Sequence, residues 1–312
     1  MKNFKSFREV AEQTVKERRF RNIDNICKYG IEPLDRYLWW ILENELVVIG
    51  AGSWIWKTEL ACSIAIENAS IWKRVWLLSL EWDIWEIAYR YLQKHINLKL
   101  KKDGKFIKWP EYRLNLTDVS KYEDEALNEI PKEIEDNLKI FDKSFIPDKN
   151  QLLELIRDNY WNVDMFVIDH LHYLNHWDNE YTWISDIVRA IKEVTEIIKK
   201  PVVLVSHLSR WYANQNRLPN KSDLHWSSNI EKNANTVILL APSDTETDFE
   251  ESKASFLRWT KIIVDKNRTW MPTPAIFEAT FDLNQKEYLS WDKYNYLSPE
   301  EQNRVTIHDK IF

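Results

Sequence analysis

The chain has 312 residues, 44% hydrophobic and 29% charged, a soluble globular balance with room for one large α/β domain or a domain with an appendage. A formal net charge of −6 excludes a globally basic nucleic-acid binder, so any such surface must be a local patch. Two cysteines, Cys27 and Cys62, exclude a disulfide framework, no apolar run approaches the ~20 residues of a membrane span, and the amino-terminal stretch lacks a signal peptide's apolar core, so a cytoplasmic protein is expected.

Residues 1–28 carry eight Lys/Arg and four Asp/Glu with apolar residues only roughly at helical spacing, which predicts a helical arm or linker ahead of a domain spanning 29–312. From Ile31 apolar runs alternate with amphipathic stretches, the pattern of a mainly parallel sheet flanked by helices. Strands are predicted at Leu46–Ile49, Val75–Leu80, Leu138–Phe141, Met165–Asp169, Val202–Ser206, Val237–Leu240 and Lys261–Val264. Several are continuous apolar runs, as expected of strands covered on both faces. A closing edge hairpin is predicted from Ala275–Asp282 and Lys286–Ser290 around Leu283-Asn284-Gln285. Helices are predicted over Lys57–Asn68, Ile84–His95, Asn150–Asn159 and Ile184–Lys199, with Leu98–Asn137 a charged, poorly periodic surface excursion.

One compositional feature is abnormal: 17 Trp against 4 Gly. Together they come close to the usual glycine share of about 7%. Trp39-Trp40, Trp54, Trp56, Trp226 and Trp270 all stand where turn chemistry asks for glycine. A lineage that reads UGA as glycine, translated as if UGA were tryptophan, would produce this pattern.

The segment after the first predicted strand carries the sharpest chemistry. Ala51-Gly52-Ser53-Trp54-Ile55-Trp56-Lys57-Thr58 precedes an apolar-periodic helix, and with glycine at 54 and 56 it reads AGSGIGKT, a phosphate-binding loop. Small residues let successive backbone N–H groups curl around phosphates at a helix N-terminus. Lys57 would reach the β/γ-phosphates and the Thr58 hydroxyl would ligate Mg²⁺. A tryptophan at 56 would be expected to occupy the phosphate space. Glu81 closes the buried run Leu77-Leu78-Ser79-Leu80, where it can polarise an attacking water or act as a helix cap. Asp169 ends Met165-Phe166-Val167-Ile168, the position of a Mg²⁺-positioning carboxylate. His170, His172 and His176 match no usual ligand spacing and read as loop or packing histidines.

His207, after Val202–Ser206, can sense a γ-phosphate or be structural. Lys266 and Arg268 sit at i and i+2 on a strand end and point the same way, either toward a neighbouring subunit's phosphate or as a basic edge that blunts strand pairing. Arg210, Arg217 and Lys221 lie in a polar loop that fits a phosphate-backbone contact surface and equally a solvated loop.

As an ordered set, these motifs resemble the RecA-like motor domain of the DnaB-type replicative ring helicases, superfamily 4, over about Tyr29 to Ser290. YGIEPLDRYLWW is similar to that family's approach to its phosphate loop, SLE to its catalytic-glutamate motif, FVIDHL to its magnesium strand, SDLHWSSNIEKNANTVILL to its DNA-loop segment, and KIIVDKNRTW to its trans-acting strand. The resemblance implies an ATP- and Mg²⁺-dependent DNA helicase or single-strand translocase, a homo-hexameric ring acting on single-stranded or forked DNA. His207 and Asp169-His170 are more similar to the phage primase–helicase and mitochondrial branch, and His225 stands where the family often has Arg. A RecA/RadA-like recombination ATPase shares the core, and an ATP-gated adaptor is the reading from another class.

Overall fold

In the computed structural model, residues 6–20, 26–52, 55–105, 107–142, 144, 148–171, 180–209, 212, 217–224, 227–242, 257–269, 271–283 and 287–288 are described. The strands are β1 Leu46–Ala51, β2 Val75–Ser79, β3 Leu138–Asp142, β4 Met165–Asp169, β5 Val202–His207, β6 Thr236–Pro242, β7 Leu257–Asn267, β8 Ala275–Asp282 and β9 Glu287–Tyr288. They form one sheet in the order β3-β2-β4-β5-β1-β6-β7-β8-β9. The six strands from β3 to β6 pair in parallel, and β7, β8 and β9 continue antiparallel. The fold is therefore the RecA-like α/β architecture with a carboxy-terminal edge hairpin. The hairpin's tip, 284–286, lies outside the described residues.

The parallel strands are apolar runs because both faces are covered. In β1, Val47, Ile49 and Ala51 join the cluster under helix α3 (Lys57–Ser70), while Leu46 and Val48 join the opposite cluster. That second cluster packs beneath α8 (Lys149–Asn159), α9 (Glu180–Ile198) and α10 (Ser227–Asn233). Gly50 has to be glycine for space: a Cβ there would lie 2.2 Å from Leu224 Cδ2 and 2.9 Å from Leu239 Cδ2.

The remaining helices are α1 Phe7–Phe20, α2 Glu32–Leu38, α4 Ile84–Lys102, α5 Trp109–Arg113, α6 Ser120–Asn128 and α7 Lys132–Asn137. Two expectations need correction. Helix α4 runs seven residues past His95, ending at Lys102. The stretch 98–137 is a helical subassembly with its own small core of Ile96, Leu100, Ile107, Tyr112, Val119 and Ala126. Both cysteines are buried and free. Among the described residues no helix is long and apolar enough to cross a membrane.

Candidate active site

Four chemistry-bearing strand ends lie side by side. β2, β4, β5 and β1 are consecutive in the sheet, and all point their carboxyl ends the same way. Register puts Ser79 beside Asp169 and Ala51 beside His207. Lys57 and Thr58 (first turn of α3), Glu81, Asp169, His170 and His207 are thus gathered around one crevice, where open parallel sheets bind ligands.

Lys57 Nζ lies 3.9 Å from Glu81 Oε2, and the lysine side chain is only 8% exposed. The Thr58 side chain is hydrogen-bonded to the Asp169 carboxylate, whose buried Oδ1 has no hydrogen-bond partner among the described residues. Burial is the largest influence on Asp169 and raises its pKa above the ordinary value, despite the His170 ring and Thr58. A hydroxyl beside a buried carboxylate with a spare oxygen is a hard-oxygen donor set that fits Mg²⁺. Burial is also the largest influence on Glu81, but the His170 ring, Lys57 and His207 outweigh it and hold the carboxyl below its ordinary value. Glu81 is thereby kept ionised beside the lysine.

The loop itself departs from an open phosphate cradle. Ser53 and Trp54 lie outside the described residues. The Ile55 N–H donates to Gly52 O at 3.4 Å and the Lys57 N–H to Ile55 O at 2.5 Å, so both face the loop's own carbonyls. Trp56 stacks on Phe281 of β8, ring centroids 4.8 Å apart, and packs against the core under α3. Behind the loop, Glu59 pairs with Arg90 of α4 at 2.7 Å, both side chains nearly buried, and Arg90 lies over the Trp82 ring.

Sequence spacing alone missed His170. It is buried, its Nε2 lying 2.9 Å from His207 Nε2 and 3.1 Å from Glu81 Oε2. The signal was available: Asp169-His170 and Ser206-His207 both end strands, and neighbouring strands bring such residues together. His172 and His176 lie outside the described residues, as does His225.

Lys266 and Arg268 are elsewhere. Lys266 pairs with Val237, which is level with Val48, and Asn267 with Thr236, which is level with Val47. Both cations therefore stand toward the amino-terminal edge of the parallel strands, about 10–17 Å along the strands from Ala51. Lys266 Nζ donates to Glu231 O and an Arg268 guanidinium nitrogen to Lys232 O, the last-turn carbonyls of α10. Burial, then the neighbouring Arg268, lowers the Lys266 ammonium to about 8.

In the polar loop, Arg217 makes a bidentate pair with buried Asp223, both contacts 2.6 Å, which gives it a structural task. The Lys221 N–H donates to Asp265 and its Nζ lies 3.5 Å from Glu231. Arg210 lies outside the described residues.

Residues 27–281 match the family described as the DnaB-like helicase C terminal domain. The chain belongs to this family. It is 28% identical over 230 residues to the "Probable plasmid replicative DNA helicase" of Chlamydia muridarum, covering 71% of this chain and 48% of that protein. To the "Replicative DNA helicase DnaB" of Haemophilus influenzae it is 24% identical over 250 residues, covering 77% of this chain and 50% of that one. The chain thus spans about half the length of these relatives. A solved ATPase domain superposes with a TM-score of 0.73 at 22% identity, covering 92% of this chain and 99% of that one. A DnaB-like replicative helicase solved in a study of its interactions with primase also gives 0.73, at 21% identity, covering 92% of this chain and 67% of that one. These structures bear on the fold.

Proposed function

We propose that the chain is the ATP-hydrolysing motor of a ring-forming replicative DNA helicase, residues 29–312 being the motor and 1–28 an arm. The observation that carries this is the adjacency of four strand ends bearing Lys57-Thr58, Glu81, Asp169 and His207 in a chain of this family. Lys57 binds the transferring phosphate, Thr58 and Asp169 hold Mg²⁺, and Glu81 takes the proton of the attacking water. His207, next to the phosphate-binding strand, reports the presence of the γ-phosphate. When bound, Mg²⁺ would neutralise charge developing on the phosphoryl oxygens. Lys266 and Arg268 stand toward the opposite end of the strands from their own chain's crevice, which supports their serving the next subunit of a head-to-tail, hexameric ring. Arg210 and Lys221 are the proposed DNA contacts, with Arg217 bracing that loop through Asp223. A cytoplasmic location is part of the same reading, as is the kinship of the sensor His with the phage primase–helicase branch.

The tryptophan reading gains support from backbone geometry. Trp39 ends α2 with φ 70°, and Trp72 follows α3 with φ 66°, both bulky residues in the left-handed region. At Trp72 the helix closes as a Schellman motif: Trp72 N–H to Ala69 O at 3.1 Å and Lys73 N–H to Asn68 O at 3.0 Å. Glycine is the usual residue at that position. Trp76 is the opposite case, a strand residue packed on Phe141 and Phe166, where an indole belongs. Trp226 and Trp270 lie outside the described residues. We propose glycine at 39, 54, 56 and 72 in the native product and tryptophan at 76.

The test is a forked-duplex unwinding assay on the chain made with those four glycines. ATP-dependent unwinding is expected. DNA-stimulated hydrolysis without unwinding would favour a translocase or recombinase, and hydrolysis indifferent to DNA an adaptor. Tight ATP binding by the tryptophan form would refute the blocked-loop argument, and an indole mass at position 72 of the native protein would refute the glycine assignment.

A further inference from the structure

Three donors from three elements converge beside the Mg²⁺ ligands. Glu81 follows β2, His170 follows β4 and His207 ends β5, and one ligand atom from each lies within 4.8 Å of the others. A single proton serves this triangle only through a bent, shared hydrogen bond. His170 Nε2 faces both Glu81 Oε2, at 3.1 Å, and His207 Nε2, at 2.9 Å. A ring nitrogen carries either a hydrogen or a lone pair. If His170 Nε2 is protonated, its one hydrogen serves one neighbour at the expense of the other. If it is bare, its lone pair opposes the Glu81 oxygen. Glu81 Oε2 itself is buried and lacks a well-aligned hydrogen bond among the described residues, the mark of a group suited to an ion. The two imidazoles meet edge to face at 83° with centroids only 4.4 Å apart. A head-on N–H···N bond at this nitrogen separation would hold the rings further apart, so the nitrogens are not aimed straight at each other.

We propose that Glu81, His170 and His207 bind one borderline transition-metal ion of the zinc class, and that this ion withdraws Glu81 and His207 from ATP hydrolysis. The second clause rests on the functional reading above; the first does not. Two imidazoles and a carboxylate are a usual zinc donor set, with a fourth position for water. Metal–ligand bonds of about 2.0–2.2 Å set tetrahedral donors about 3.3 Å apart, so the 2.9 and 3.1 Å edges at His170 open slightly on binding, and the Glu81–His207 edge, within 4.8 Å, adjusts to the same spacing. Mg²⁺ prefers oxygen donors and stays with Thr58 and Asp169, so the crevice offers a hard site and a nitrogen-rich site side by side. Lys57 is the competing cation, 3.9 Å from the same Glu81 oxygen.

The experiment titrates the full-length, nucleotide-free chain with Co²⁺ in the presence of Mg²⁺, reading the visible bands of a tetrahedral site, and repeats the titration with Zn²⁺ by calorimetry. One ion per chain is expected. Glu81→Gln, His170→Asn and His207→Asn should each weaken binding by about tenfold or more. Lys57→Ala, which removes only the competing charge, should bind as tightly as the parent or more tightly. Circular dichroism checks each variant's fold, and if the buried His170→Asn fails to fold, Glu81→Gln decides. Stoichiometric Zn²⁺ should inhibit the ATPase of the glycine-restored chain and leave the residual activity of His170→Asn in that background unaffected. No Co²⁺ binding, or binding that survives all the folded ligand variants, overturns the site. Binding at these residues without inhibition overturns the regulatory half. A glycine-restored chain that binds Co²⁺ there but hydrolyses no ATP with Mg²⁺ as its only metal overturns the functional reading and leaves the site standing, because the spectrum needs no turnover.

Discussion

The two ends of one parallel sheet differ in how they treat charge. At the carboxyl edge, Lys57, Glu81, Asp169 and two histidines crowd a crevice built from four consecutive strands, with a buried Asp169 oxygen left unbonded among the described residues. Toward the amino edge, Lys266 and Arg268 rest on the last-turn carbonyls of α10, which screen them but ask no chemistry of them. In the proposed reading the first edge is half an active site, and the second is a pair of cations too far along the strands to complete it in the same chain. A sheet polarised in this way makes sense when one copy's amino edge meets the next copy's carboxyl edge.

The largest effect should come from the crevice. In the glycine-restored chain, Lys57→Ala should reduce hydrolysis by about a thousandfold, because it removes charge stabilisation of the transferring phosphate. A loss under about tenfold, read by phosphate release, would break the comparison by making the crevice incidental. Next comes the support behind the loop. Arg90→Ala removes one half of a nearly buried ion pair and should destabilise the chain by about 3–5 kcal/mol in urea unfolding. A change below about 1 kcal/mol would show that α4 does not brace α3.

The last effect, on stability alone, belongs to Lys266 at the amino edge and sharpens what kind of resting place it is. Lys266 has its ammonium lowered from 10.5 to about 8, so between those values the unfolded chain binds more protons than the folded one. Stability therefore rises with pH across that window, and the buried charge is a cost fully present below pH 8. Melting temperatures of the parent minus those of Lys266→Met should rise between pH 8 and 10.5. A flat difference would mean that the lysine is solvated.

Much of this was legible in the chain because the parallel strands are covered on both faces. Runs such as Leu46–Ile49 and Val202–Ser206 declare themselves without any periodicity to interpret. The stretch 98–137 was not, since its small core draws single residues from short helices, and no window long enough to show a period exists. Lys57, Thr58, Glu81, Asp169 and His207 could be assembled on paper because each ends a strand or starts the helix after one. His170 was judged against His172 and His176, its neighbours in sequence, while its true neighbour sits 37 residues away on the adjoining strand. Trp72 escaped notice because Ile71-Trp72-Lys73 resembles no turn until the left-handed φ and the two closing hydrogen bonds are seen.

The claim that the two edges belong to one site shared between copies is tested most directly by mixing subunits. Lys57→Ala chains have a dead crevice and intact amino-edge cations, and Arg268→Ala chains the reverse. Each alone should be nearly inactive, the loss of Arg268 from a neighbour's site costing about a thousandfold or more. Co-assembled, they should regain hydrolysis in proportion to the interfaces that place an intact crevice against an intact Arg268. Activity that never exceeds the sum of the two separate preparations, at any mixing ratio, would contradict the account.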